Sequence, residues 1–256
     1  MGLTTLERRG AVALVGLNRP DKLNALDQAM VDELHGVLVE LSSTPSIVVL
    51  HSQVPGVFVS GADIAELVTR DADAGLRGIN AGLFERLEAH PWPTIAVIDG
   101  PALGGGCELA LACDFRFATP RTRFAQPELG LGILAGAGGN WRLAAAAGQG
   151  VARRMLFAGE TIPADEALRV GLVDRLSDPA GVLDDAIAYA ERIGLQSWRA
   201  LQLTKAAMRL HRPSTTSFDM VAQALLFESD DKRERMTAFL DERQRRRALR
   251  QQKGDS

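Results

Sequence analysis

Cysteine is scarce in this chain. Cys107 and Cys113 are the only two in 256 residues, and they lie six positions apart in one apolar segment. This arrangement suggests neither a disulfide framework nor a pair of zinc ligands. We therefore expect a reducing, cytoplasmic setting and no metal site.

Long hydrophobic runs are absent as well. Glycine, proline or a charged residue interrupts every apolar stretch before it reaches the roughly 18 residues that a membrane-spanning helix requires. The amino terminus shows neither a signal peptide nor a convincing transit peptide. We expect a soluble protein without a membrane partner.

Neither sign of charge is in large excess. Lysine and arginine number 29 and aspartate and glutamate 32, which gives a formal net charge of -3. This balance argues against nucleic acid as a partner. The basic tail at residues 243–253 is a local exception, and its simpler interpretation is the solvated end of a helix, where cations complement the dipole.

The apolar residues that are present make up 46% of the chain, which is enough for a sizeable core. Short apolar runs at residues 10–17, 47–51 and 94–98 predict strands, and each is followed by glycine and a segment with helical spacing. This alternation predicts an α/β chain in which the loops after the strands carry the chemistry.

Helical patterns dominate the remainder of the chain. Helices are predicted at residues 138–147, 151–157, 164–169, 182–193, 196–210, 217–228 and 231–247. The pattern is helical almost throughout from residue 179 onward. We therefore divide the chain into an α/β core, residues 1–178, and a helical region, residues 179–256.

A glycine run between a predicted strand and a predicted helix is the first candidate site. Residues 100–114 read GPALGGGCELALACD, so that Gly105 opens the helix and Glu108 lies in its first turn. Bare glycines expose backbone N–H groups, and the first turn of a helix has no internal acceptors for them. The segment GVFVSGADI has the same character and presents the N–H of Ala62. Two such donors can stabilise an oxyanion, although glycines needed only for close packing would give the same pattern.

A second acid, Glu128, lies in the segment FAQPELGLGILAGAGG, between a proline and another glycine-rich approach to a helix. Taken alone, this residue reads as a solvated turn acid. If Glu108 and Glu128 face one substrate, they form the acid and base that proton transfer next to a thioester requires.

Four segments in this order and at these separations resemble the enoyl-CoA hydratase/isomerase (crotonase) family. They are NRPDKLNAL, FVSGADIAEL, GPALGGGCELALACDFRFA and FAQPELGLGILAGAGG. The likeness continues through ADEALRVGLVDRL and FESDDKRERMTAFLDER, and it covers nearly the whole chain. The resemblance implies a crotonase-like spiral of repeated β-β-α units, with a C-terminal helical region that makes trimers.

The resemblance also implies an activity, the addition of water across the 2,3 double bond of a 2-enoyl-CoA thioester. The N–H groups of Ala62 and Gly105 would hold the thioester carbonyl. Glu108 would activate the water that adds at C3, and Glu128 would supply the proton to C2. Gly136 would begin a helix whose dipole points to the reacting centre.

Coenzyme A is expected as part of the substrate, with no separate cofactor. By the same resemblance, the residues that contact it are Lys22, Leu23, Ala62, Asp63 and Ile64. The family assembles as trimers that commonly pair into hexamers, and residues 179–256 fit that role.

Two other functions remain open at this stage. An enoyl-CoA Δ3–Δ2 isomerase of the same fold often uses one acid, and a catalytically silent acyl-CoA-binding protein needs none. Residues 68–82 match the wall of the acyl pocket in position but give little signal, so the acyl chain is undetermined. Where the family often has Pro-Gly-Ala-Gly-Gly-Thr-Gln, this sequence has Ala135, GAGG, Asn140 and Trp141, and Trp141 reads as core or pocket wall.

Overall fold

The computed structural model describes residues 2–209 and 216–254, and within them short strands alternate with helices in the first two thirds of the chain. The strands are β1 (Thr4–Arg9), β2 (Val12–Leu17), β3 (Ile47–Ser52), β4 (Thr94–Ile98), β5 (Pro101–Leu103), β6 (Phe115–Ala118), β7 (Arg123–Ala125), β8 (Ile162–Pro163) and β9 (Arg175–Leu176).

The helices carry most of the remaining residues. They are α1 (Gln28–Leu41), α2 (Ile64–Thr69), α3 (Ala72–Arg77), α4 (Ile79–Glu88), α5 (Gly105–Ala112), α6 (Gly139–Ala158), α7 (Ala164–Arg169), α8 (Val182–Gly194), α9 (Trp198–Arg209), α10 (Thr216–Phe227) and α11 (Asp230–Gly254). Within the described ranges, no helix is both long and apolar enough to cross a membrane.

The main sheet has the strand order β1-β2-β3-β4-β6-β9. β1 and β2 form an antiparallel hairpin, and the other neighbours pair in parallel. A smaller sheet has the order β5-β7-β8. The chain thus alternates between two sheets, because β4 and β6 belong to the main sheet and the strands that follow them, β5 and β7, belong to the smaller one. This repetition is the spiral of β-β-α units that the sequence resemblance implies.

The main sheet has an apolar layer on each face. In β2, Ala13, Val15 and Leu17 belong to one buried cluster, whereas Val12 and Leu14 belong to the other. Alternate side chains of a strand point to opposite faces, so a continuous apolar run fits a strand that is covered on both sides. The second face is covered by α8, whose buried positions Val182, Ala186, Ile187 and Ala190 follow helical spacing.

The C-terminal helices pack on the helical layer between β3 and β4. α10 lies so close to α3 that a Cβ at Gly75 would be 2.7 Å from the Cα of Ala224. Lys232 of α11 is 1% exposed, and its Nζ donates to the carbonyl oxygens of Leu67, Val68 and Arg70 at the end of α2. α2, α3 and α10 therefore form one wall of a cavity.

Most predicted elements are present, with shifted ends. The strand at 94–98 and the helix at 164–169 have the predicted bounds, and α5 begins at Gly105 as expected. The predicted helices at 138–147 and 151–157 form the single helix α6, which is kinked at Gly148. The predicted helix at 196–210 is α9, although residue 210 lies outside the described residues. The domain division at residue 178 stays a prediction.

Candidate active site

One cavity of about 110 Å³ opens between the smaller sheet and the helical layer. A site for one water molecule needs roughly 10–15 Å³, so the cavity can take a short chain together with water. Its wall contains most of the residues predicted for the site: Ala62, Ile64, Gly105, Glu108, Glu128 and Gly136. Segments that are far apart in the sequence thus meet at one place.

The N–H of Ala62 is left free for a ligand by the local pairing. Leu26 donates its N–H to the carbonyl oxygen of Gly61 at 2.8 Å, and its carbonyl accepts from the N–H of Asp63 at 2.9 Å. This parallel bridge uses the groups on either side of Ala62. The Ala62 amide nitrogen instead lies 3.4 Å from the point that a Cβ on Gly105 would occupy, which places it beside the start of α5.

Gly105 supplies the second amide, because it is the first residue of α5 and its N–H lies in the turn that has no internal acceptor. The two amide-bearing segments approach closely only because residue 106 is glycine. A Cβ there would lie 2.2 Å from the carbonyl oxygen of Val59. The pair of N–H groups therefore stands at the wall of the cavity, at the positive end of a helix dipole.

Glu108 is buried, with 4% of its surface exposed, and its carboxyl group is fixed by backbone donors. Its Oε1 accepts hydrogen bonds from the N–H groups of Ala137 at 2.9 Å and Gly139 at 2.8 Å. Both donors lie at the amino end of α6, where the helix dipole favours negative charge. This environment suits an ionised carboxylate, which is the form that accepts a proton.

The prediction that Gly136 begins this helix is wrong. Residues 136–138 form a turn, and α6 begins at Gly139, because Gly138 adopts a φ of 103°, which is outside the helical region. The turn is held from behind by Arg142, whose guanidinium donates to the carbonyl oxygen of Ala137 at 2.6 Å and to Glu88 at 2.8 Å. Gly136 lines the cavity, but the amides that reach Glu108 belong to residues 137 and 139.

Glu128 lies opposite, in a short 3₁₀ turn after β7, with 8% of its surface exposed. Burial, together with the negative charge of Glu108, raises the pKa of Glu128 from 4.5 to about 8. Two neighbouring buried carboxyl groups cannot both ionise at low cost, so one proton is retained on the pair at neutral pH. Glu128 is the member that carries it.

Gln126 is a site residue that the sequence interpretation missed. It is 1% exposed, and with its amide nitrogen turned toward Glu128 it donates to both carboxyl oxygens, at 3.0 and 3.1 Å. With its oxygen turned that way, the amide accepts the proton of a neutral carboxyl group instead. Gln126 therefore has a hydrogen-bonding orientation for either protonation state of Glu128.

The remaining predicted contacts lie outside the cavity wall. Asp63 caps α2 by accepting from the N–H of Ala65, and its Oδ2 lies 3.8 Å from the Nζ of Lys22. Leu23 is 45% exposed and has a positive φ of 52°. These residues lie near the amino end of α2, next to Ala62. Trp141 is half-buried outside the main cavity wall and stacks with Arg142.

The arrangement supports one type of chemistry. Two backbone donors can hold a carbonyl oxygen that gains negative charge, while a fixed carboxylate and a protonated carboxyl group face the neighbouring atoms. In the described part of the chain, no three His, Cys, Asp or Glu side chains are grouped in a way that could hold a metal ion. The groups present suit proton transfer beside a polarised carbonyl.

Comparisons with known proteins identify the family of the chain. The family model described as enoyl-CoA hydratase/isomerase matches residues 7–247. The short-chain-enoyl-CoA hydratase of Clostridium acetobutylicum is 38% identical over 246 residues, which are 93% of this chain and 94% of that protein. The crotonyl-CoA hydratase of Syntrophomonas wolfei is 37% identical over 246 residues, with coverage of 93% and 95%.

Solved structures share the fold. The structure of EchA1_1 from Mycobacterium paratuberculosis superposes with a TM-score of 0.84 and 31% identity, and the match covers 93% of this chain and 96% of that chain. The enoyl-CoA hydratase from Bacillus anthracis gives a TM-score of 0.78 with 31% identity, and the match covers 94% and 96%.

Proposed function

Because this chain belongs to the enoyl-CoA hydratase/isomerase family, we propose that it adds water across the 2,3 double bond of a 2-enoyl-CoA thioester to give a 3-hydroxyacyl-CoA. The observation that carries the proposal is the unequal pair of acids. Glu108 accepts hydrogen bonds from two backbone N–H groups, whereas burial and the charge of Glu108 raise the pKa of Glu128 to about 8. Hydration needs one acid in each of these states.

The reaction begins with the thioester carbonyl, which accepts hydrogen bonds from the N–H groups of Ala62 and Gly105. These bonds strengthen as negative charge develops on the oxygen, and this lowers the barrier to attack at C3. The rest of the acyl chain occupies the cavity. The nucleotide part of the substrate extends out of the cavity, past Lys22, Leu23, Asp63 and Ile64.

Water attacks while it is bound between the two acids. Glu108 accepts one proton from the water as the oxygen forms its bond to C3. The π electrons of the double bond form the new C2–H bond with the proton that Glu128 donates. The pair holds one proton before and after addition, on Glu128 first and on Glu108 afterwards. No cofactor takes part beyond the coenzyme A of the substrate.

We also propose that the protein assembles as a homotrimer or a pair of trimers in the cytoplasm, through its C-terminal helical region. Large apolar side chains of that region stand exposed in the single chain, among them Leu195, Leu203 and Met208. Association would remove this surface from water. Analytical ultracentrifugation tests this assembly, and a monomer at micromolar concentration would contradict it.

The activity is tested with crotonyl-CoA, by the loss of the absorbance of the conjugated enoyl thioester. Glu108→Gln and Glu128→Gln should each lower kcat by about 10²–10⁴-fold, the usual contribution of a general acid or base. Glu191→Gln is the matched control, because Glu191 is exposed on α8. Full activity in either active-site variant would refute the paired-acid mechanism.

Two further assays on the same protein preparation distinguish the two alternative functions. Conversion of a 3-enoyl-CoA without hydration of the 2-enoyl form would identify an isomerase. Calorimetric binding of a CoA ester with turnover of neither substrate would identify a silent binder.

A further inference from the structure

The cavity wall formed by α2, α3 and α10 is not uniformly apolar. Leu67, Ile79, Met220 and Phe227 contribute apolar surface, as expected for a site that binds a hydrocarbon chain. Arg70 is also part of this wall, and it is the one cation among the described lining residues. A plain acyl chain offers no partner for a half-buried cation.

The charge of Arg70 is only partly compensated. Its side chain is 12% exposed, and its one hydrogen bond to a described residue goes to Glu66 at the long distance of 3.3 Å. Glu66 is itself 39% exposed, and the same oxygen accepts from the N–H of Gln28. A guanidinium has five donors, so most of those on Arg70 remain available. Burial lowers the pKa of Arg70, which reflects the cost of holding this charge away from water.

Asn80 provides a second, independent polar group on the wall. Its Oδ1 is buried and has no hydrogen-bond partner among the residues that the structure describes. Its Nδ2 lies 3.7 Å from the point that a Cβ on Gly105 would occupy, close to the proposed thioester site. Buried polar atoms normally have partners, so an unpartnered one on a cavity wall indicates that a ligand or water supplies the partner.

We propose that this cavity binds an acyl chain that ends in a carboxylate and that Arg70 is the residue that binds this carboxylate. The fork of a guanidinium matches the two oxygens of a carboxylate. Asn80 would meet the chain nearer the thioester. The inference rests on the proposed function, because it concerns the acyl part of the same thioester.

A phosphate of coenzyme A is the other anion that Arg70 could bind, and its position argues against it. The proposed nucleotide contacts, Lys22 and Asp63, lie at the amino end of α2. Arg70 follows the carboxyl end of this six-residue helix, about 9 Å further along its axis. Arg70 also lines the cavity that contains Glu108 and Glu128, whereas Lys22 does not.

The test measures binding, so it does not depend on turnover. Isothermal titration calorimetry compares hexanoyl-CoA with 5-carboxypentanoyl-CoA, which has the same chain length and a terminal carboxylate. In the wild type the acid ester should bind at least about tenfold more tightly than the neutral ester. Arg70→Met should bring this ratio close to one, and Arg70→Lys should retain part of the preference. Arg153→Met is the matched control, because Arg153 is exposed on α6 and does not line the cavity.

Each outcome decides the proposal. A wild-type preference for the neutral ester overturns it. Equal weakening of the binding of both esters by Arg70→Met also overturns it, provided that the thermal transition shows the variant to be folded. Such a result would indicate phosphate binding or a structural role. If the preference is found but no enoyl-CoA is hydrated, the site assignment stands and the proposed reaction fails.

Discussion

The carboxyl group of Glu128 packs against the bare Cα of Gly104. A Cβ on residue 104 would lie 2.8 Å from Oε1 of Glu128, and Gly104 also has a φ of 52° with a ψ of -120°, a combination that L-residues avoid. The residue that caps α5 is thus in direct contact with the proposed acid.

Gly104→Ala should therefore displace Glu128 and distort the amide of Gly105. We expect kcat to fall by at least about 100-fold, as for loss of the acid itself. Gly10→Ala is the matched control, because Gly10 has a similar φ of 57° but open space around its Cα. It should cost about 1–2 kcal/mol of stability and leave kcat unchanged. Equal rate losses in both variants would count against this contact.

The rate should depend on the proton that Glu128 retains. Hydration requires neutral Glu128, whose pKa is raised to about 8, so kcat/KM should fall about tenfold per pH unit above that value. Glu128→Gln should lack this limb in its residual activity. Titration of the two buried thiols does not account for this loss of rate, because burial raises the pKa of Cys113 to about 12 and that of Cys107 well above its ordinary value. A wild-type rate that stays constant to pH 10 contradicts the assignment.

Stability should respond to the same proton. Between pH 4.5 and about 8 the folded chain keeps the Glu128 proton and the unfolded chain releases it. The free energy of unfolding contributed by this group is therefore fully present below pH 4.5 and is lost as pH rises, by at most about 1.4 kcal/mol per unit. Urea unfolding at pH 5 to 9 and fixed protein concentration should show this fall in the wild type but not in Glu128→Gln. If the free energy of unfolding varies with pH in the same way in both proteins, the pKa of Glu128 is not raised by folding.

Lys232 should be required for the stability of the fold. Its ammonium group satisfies the last carbonyl groups of α2. Lys232→Met removes this donor. The carbonyl group of Leu67 keeps its bond from the N–H of Arg70, and the loss at the other two should lower the free energy of unfolding by about 1–3 kcal/mol. Arg247→Met, at an exposed position of the same helix, should have little effect. Thermal and urea unfolding measure the stability of both variants. If the curves of Lys232→Met and the wild type are indistinguishable, water replaces the ammonium group as the donor.

Both cysteines should resist thiol reagents in the folded protein. Cys107 and Cys113 are 0% and 3% exposed, and burial disfavours the reactive thiolate of each. Reaction with an aromatic disulfide should release two thiols per chain only after unfolding in urea. Rapid labelling of either residue in buffer would reveal an opening of α5 that the structure does not show.

Local chemistry made the centre of the site predictable from sequence. A glycine run before a helix predicts exposed amides wherever it occurs, and an acid in the next turn must lie near them. The start of α5 at Gly105 follows from this pattern alone. The strands at 47–51 and 94–98 were also predictable, because short β-branched runs bounded by proline and glycine are typical of buried strands.

Features that depend on distant packing were not predictable. Lys232 lies in the segment DDKRER, which reads as a solvated helix face, and its burial results from contact with α2. The resemblance matched residues 68–82 to the wall of the acyl pocket, and Arg70 and Asn80 do line the cavity, but nothing in the sequence singled out these two residues, because α10 completes the cavity from more than 100 positions away. β5, β7 and β8 are too short for a periodic pattern. The start of α6 was misplaced because either end of the run AGAGG can begin a helix.

A pair of acids that share one proton imposes no direction on the chemistry. Addition of water moves the proton from Glu128 to Glu108, and elimination moves it back along the same path, since forward and reverse reactions pass through one transition state. The enzyme would therefore dehydrate a 3-hydroxyacyl thioester as readily as the equilibrium allows. Neighbouring enzymes that supply one thioester or remove the other would set the net flow.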